Sequence, residues 1–118
     1  MFVPLAATTL HATPNAEMRR YAGADVAVWR TDLPPSAAGP VHTIDREQVV
    51  VVIDGELTAV VAGETLVVRP GDAVVLAGGV VRQLRNEGVD RVVTLTSALP
   101  GALARVADGE PVSVPWAG

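Results

Sequence analysis

Apolar residues along this chain fall in short runs, and Gly and Pro cut the runs at close intervals. The cuts are Ala22-Gly23, Leu33-Pro34-Pro35, Gly39-Pro40, Asp54-Gly55, Ala62-Gly63, Arg69-Pro70-Gly71, Gly78-Gly79, Glu87-Gly88 and Leu99-Pro100-Gly101. Short apolar segments between closely spaced turn signals are the pattern of a β-sandwich or barrel. The spacing predicts strands near Ala24–Trp29, Gly39–His42, Gln48–Ile53, Glu56–Val61, Glu64–Val68, Ala73–Leu76, Arg82–Asn86 and Arg91–Ser97. Asp54-Gly55 is a hairpin candidate because both positions tolerate positive φ, and Gly63-Glu64 is a candidate for a second tight turn. No apolar repeat holds at helical spacing, apart from a single short helix expected around Ala102–Ala107.

Residues 1–23 and 98–118 carry weaker patterns and are expected to be arms on a single domain whose barrel core spans 24–97. Arms of this kind lie over a sheet edge or pair with another subunit. Composition agrees with the strand pattern. The chain holds 22 Val and 18 Ala among 118 residues, and aromatics make up 3%. Its core must therefore be aliphatic, and β-branched residues favour extended structure. Runs such as Val49–Ile53 are apolar on both faces, so both faces of that strand need cover.

Charge and cysteine content exclude several functions. All nine basic residues are Arg, they are scattered, and thirteen acidic residues leave a net charge of −4. No basic face is available for phosphates, so no nucleic-acid partner is expected. With no Cys, disulfides, thiolate metal sites and Cys nucleophiles are excluded. The apolar runs are too short to cross a bilayer, and Met1–Leu10 lacks a basic start, so a soluble cytoplasmic protein without a membrane partner is expected. Ser36, Ser97 and Ser113 lack a nucleophile elbow, and Gly78-Gly79 precedes a strand where a phosphate loop needs a helix.

Two stretches carry more specific information. Val41–Leu57 and Arg69–Asn86 together resemble the two motifs of the cupin superfamily, G-x5-H-x-H-x3-E-x6-G and G-x5-P-x-G-x2-H-x3-N. Gly55, Gly71, Gly79 and Asn86 match; Ser36 stands where the first Gly is expected and Ala77 where Pro is expected. The resemblance implies an all-β cupin-type barrel or jelly roll, an RmlC-like fold, and a homodimer. It also implies four metal-ligand positions, which fall on His42, Ile44, Gln48 and Arg82. Of these only His42 is a residue the family uses as a ligand. Ile44 has no lone pair, Gln48 offers a neutral carbonyl, and Arg82 brings a permanent positive charge.

The expected site is accordingly a metal-free pocket with no cofactor. His42 and Arg82 are the candidate catalytic residues, and His42, Ile44, Gln48, Val50, Arg82 and Leu84 are the candidate ligand-binding residues. A lone Arg among Ile44, Val50, Val52 and Leu84 is costly without a partner. The residues leave two partners open: a structural one, Glu47 or a turn carbonyl, and a small anionic or carbonyl-bearing ligand suited to the guanidinium fork. Three functions follow. The first is a metal-independent isomerase, cyclase or lyase acting on a small metabolite. The second is a metal-dependent dioxygenase or isomerase with a divalent ion on His42, Glu47 and Gln48, with His11 as a further donor. The third is a non-catalytic homodimer with a filled barrel. His11 is expected at the surface, Asp45, Arg46 and Glu47 in a solvated corner, and Trp29 and Trp116 against the outer sheet.

Overall fold

A computed structural model describes residues 1–118. The chain forms twelve strands: β1 (Thr9–Ala12), β2 (Glu17–Arg20), β3 (Ala27–Leu33), β4 (Thr43–Ile44), β5 (Gln48–Asp54), β6 (Leu57–Val61), β7 (Glu64–Val68), β8 (Ala73–Leu76), β9 (Arg82–Arg85), β10 (Val92–Ala98), β11 (Leu103–Arg105) and β12 (Val112–Ser113). Short 3-10 turns at Leu5–Ala7 and Pro115–Ala117 are the only helical elements. A six-stranded antiparallel sheet, β1-β2-β3-β10-β5-β8, faces a three-stranded sheet, β7-β6-β9, and a small third sheet, β12-β11-β4, closes one end. This is the all-β jelly roll expected from the sequence.

The alternation of side chains builds the core. Leu33, Val50, Val52, Leu76 and Val92 point inward from the large sheet and meet Leu57, Ala59 and Val68 from β6 and β7 in one buried cluster. A second buried cluster, containing Met18, Ala27, Trp29, Ile44, Ala102, Val114 and Ala117, fills the opposite end. β6 and β7 join through a two-residue loop, Ala62-Gly63, with φ of 50° and 81°. Positive φ at both positions suits the right-handed twist of a hairpin.

Several expectations are corrected. Asp54-Gly55 does not close a hairpin, because β5 pairs with β10 and β8 while β6 pairs with β7 and β9. The turn instead carries the chain from one sheet to the other. The tight hairpin loop is Ala62-Gly63, one residue before the expected pair. The strand placed at Ala24–Trp29 runs from Ala27 to Leu33, and Gly39–His42 makes only one isolated bridge, His42 to Arg82, with another just before it from Ala38 to Arg85. Leu103–Arg105 is a strand where a helix was expected, because pairing with β4 and β12 overrides the local Ala content. In the N-terminal arm, β1 and β2 extend the large sheet beyond β3. Trp29 faces the second core cluster rather than the outer sheet. No helix is long and apolar enough to cross a membrane.

Candidate functional site

The motif residues act first as backbone devices. Gly55 has a φ of 75°, and a Cβ there would lie 2.5 Å from the Arg91 carbonyl oxygen, so no larger residue fits. Ser36 has a φ of 66°, keeping the left-handed conformation that the absent Gly favours. Asn86 is buried and ties three segments together. Its Nδ2 donates to the Leu33 and Asp90 carbonyls at 3.1 and 2.8 Å, and its Oδ1 accepts from the Gly88 amide at 3.0 Å.

These turns bring three of the predicted residues to one place. His42 and Arg82 exchange backbone hydrogen bonds, with His42 N donating to Arg82 O at 3.0 Å and Arg82 N to His42 O at 2.9 Å. Arg82, at the start of β9, is 1% exposed. Its Nε donates to Val80 O at 2.8 Å, Nη1 to Gln48 Oε1 at 3.1 Å, and Nη2 to Ala77 O at 3.0 Å. Every one of these acceptors is neutral, and the chain's ion pairs lie elsewhere: Arg30 and Arg91 on Asp32, Arg69 on Glu56, and Arg85 on Glu87. Burial lowers the Arg82 pKa, yet an arginine remains cationic at neutral pH. The site therefore holds a buried positive charge that no carboxylate of this chain balances.

His42 is half-buried. Its Nδ1 lies 2.8 Å from the Pro40 carbonyl, which can only accept, so Nδ1 carries the proton and Nε2 keeps a lone pair. Burial pushes the imidazole below the usual histidine range. The Pro40 hydrogen bond works against this, and the charge of Arg82 adds to it. A neutral base thus stands beside a buried cation.

Val50 and Leu84 pack in the first apolar cluster, whereas Ile44 belongs to the second, so the three apolar residues among the predicted ligand-binding six do not share one wall. Glu47 is exposed. The β5–β8 register runs unbroken from Gln48 to Val51, and the irregularity in the large sheet lies at Val93/Thr94, so no bulge turns Glu47 inward. His11 is half-buried with its ring 6.2 Å from that of Trp116, not at the expected surface. Asp45, Arg46 and Glu47 form the exposed corner that was expected.

A divalent ion does not fit the family's ligand positions here. Ile44 offers no donor, Arg82 fills the space with a cation, and no three His, Asp or Glu side chains converge anywhere in the chain.

Sequence reasoning missed Thr94 and Thr96. Both are buried on β10, where Thr94 lies opposite Thr31 and Val52, and Thr96 opposite Trp29 and Val50. Along β10 they stand between Val92 of the first apolar cluster and Ala98 of the second. The available signal was the alternation Val93-Thr94-Leu95-Thr96, which sets polar against apolar residues without saying which set faces inward.

Residues 29–97 match the family model of the cupin domain, more than half of the chain, and the protein belongs to the cupin family. The fold agrees with solved structures at low identity. The polyketide cyclase RemF from Streptomyces resistomycificus superposes with a TM-score of 0.80 at 15% identity, covering 93% of this chain and 87% of that one. A cupin-superfamily sugar phosphate isomerase from Silicibacter pomeroyi gives 0.76 at 18%, over 92% and 83%. Salicylate 1,2-dioxygenase from Pseudoaminobacter salicylatoxidans gives 0.68 at 18%, over 74% of this chain and 27% of that one. Comparison with curated proteins gave no match.

Proposed function

We propose that this cupin binds a small anionic compound, a carboxylate or an enolisable carbonyl, in its barrel without the family's divalent metal. The chemistry this site suits is proton transfer of the isomerase, cyclase or lyase type. Arg82 neutralises negative charge on the ligand, Gln48 holds the guanidinium in place and His42 Nε2 takes up a proton. The observation that carries this reading is the Arg82 guanidinium, buried on three neutral oxygens with no carboxylate partner. A buried cation costs several kcal/mol unless it is paired, and a ligand carboxylate supplies the missing pair.

The test uses malonate and succinate as probes, with malonamide as the neutral control. Saturable thermal stabilisation by a diacid, absent with malonamide and at least tenfold weaker in Arg82→Met and Arg82→Lys, is the expected result. A flat response to every carboxylate, or equal affinity in Arg82→Met, overturns the proposal. A stoichiometric transition metal in gently isolated protein overturns its metal-free part.

One observation favours a second reading, a filled barrel acting through its surface. Two surface hollows, of about 230 and 300 Å³, are lined by residues such as Thr43, Asp45 and Leu103 or Arg46, Glu47 and Ser97, and neither reaches His42, Gln48 or Arg82. In that reading Arg82 is a clamp between Gln48 and the Ala77–Val80 turn, and the same titration returns no binding.

A further inference from the structure

A ligand on Gln48 and Arg82 needs a way in, and the apolar cluster around the nearby Ile44 is completed by the last segment of the chain. Ala102, Val114 and Ala117 pack with Ala27, Trp29 and Ile44 in the second cluster, apart from the main core. The inward residues of β10 run Thr94, Thr96, Ala98 toward this end, and Ala98 packs in the cluster that the segment completes.

Its strand pairing is short compared with the rest of the fold, and its Pro115–Ala117 turn packs against β1, β2 and β3. β11 pairs with β4 only at Ala104–Ile44 and Arg105–Thr43, and with β12 only at Leu103–Ser113 and Ala104–Val112, whereas β10 pairs with β3 from Val92 through Ala98. Two of the three buried residues it contributes are alanines, which bury little apolar area. Beyond this pairing, Leu103 N donates to Asp45 Oδ1 at 2.8 Å, Asp45 N donates to Leu103 O at 3.1 Å, and Arg20 Nη2 donates to Gly118 O at 2.9 Å. Arg20 also donates to the Tyr21 and Gly23 carbonyls, so it fixes the end of the segment to the turn after β2. The segment leaves β10 through Pro100-Gly101, where Gly101 has a φ of 88°, a position able to absorb backbone rotation.

We propose that residues 100–118 form a lid over the barrel, hinged at Gly101 and latched by Arg20 on the Gly118 carbonyl, which swings out to admit ligand. Its purpose rests on the proposed function, but its opening is measurable without ligand. Opening breaks the Asp45–Leu103 bonds and uncovers Trp29.

Hydrogen exchange on the unliganded protein tests this. The amides of Asp45 and Leu103 should exchange well ahead of those of Val92–Ala98. Arg20→Met should speed them about tenfold, the weight of one hydrogen bond from a charged donor, and leave β10 unchanged. In a Trp116→Phe background Trp29 is the only tryptophan, and the same Arg20→Met change should raise its quenching by acrylamide several-fold. Should Arg20→Met fail to fold, Val114→Thr, which keeps the shape and weakens the apolar contact, should give the same two effects. Exchange of Asp45 and Leu103 together with β10 in the parent and in the folded variant overturns the lid, whatever malonate does. Failure to bind malonate leaves these readouts standing.

Discussion

Arg82 and His42 stand at two of the family's ligand positions and share one backbone bridge, and burial, ahead of the charge of Arg82, depresses the His42 pKa. Folding lowers the His42 pKa, so as pH falls the unfolded chain takes up the proton before the folded one does. The stability contribution is therefore fully present above the ordinary histidine value, about 6.5, and is lost as pH falls from there through the depressed folded value. Melting temperatures measured from pH 7.5 down to 5 should decline more steeply for the parent than for His42→Gln, and parallel curves would contradict the assignment. The same residue acting as base predicts that any turnover falls at acid pH, as Nε2 becomes protonated.

At the scale of elements, turns decide which sheet a strand enters. Gly55 carries the chain between sheets against the Arg91 carbonyl, so Gly55→Ala should cost roughly 2 kcal/mol or more. Ala62 adopts positive φ in the β6–β7 hairpin without being Gly or Asn, and Ala62→Asn should stabilise by about 0.5–1 kcal/mol. Denaturant midpoints moving in opposite directions for the two variants would confirm both. Strand β10 shows the limit of such local reasoning. Its Thr94 and Thr96 point inward while Leu95 points out, an inversion of the usual arrangement that makes sense only if the barrel interior is partly polar and the outer face is covered.

That covering belongs to the whole molecule. Val28, Leu95, Val49 and Val51 lie on the outer face of the large sheet, with Val75 58% exposed beside them. On the same face Arg19 sits opposite Arg30, and Glu17 opposite Asp32. Arg30 and Asp32 already pair with each other within the chain, at 2.8 Å, and Arg91 adds a second contact to Asp32. A second copy of this chain, related by a two-fold axis, would cover this apolar face. Size-exclusion chromatography should then return twice the 12.2 kDa chain mass, and Val75→Asp, which touches no core residue, should return the monomer. A 12.2 kDa parent at micromolar concentration would exclude the dimer.

Much of the fold was legible in the order of residues. Short apolar runs between Gly and Pro placed Glu64–Val68 and Ala73–Leu76 without error, and the spacing of Gly55, Gly71, Gly79 and Asn86 carried the family, because turn geometry is local and few residues adopt it. Which residues stand at the family's ligand positions was equally legible, since side-chain identity is read directly from the order of residues. Tertiary structure alone decided the rest. It determined which strands pair, that β1 and β2 join the large sheet, that Trp29 and the threonines of β10 face inward, and that Ile44 falls in the second cluster. It also chose between Glu47 and the turn carbonyls as partners of Arg82, and placed the final segment over the barrel end. Alternation along a strand gives two faces but not their inside and outside. That assignment is made only when the second sheet, the arms and the buried charge compete for the same interior.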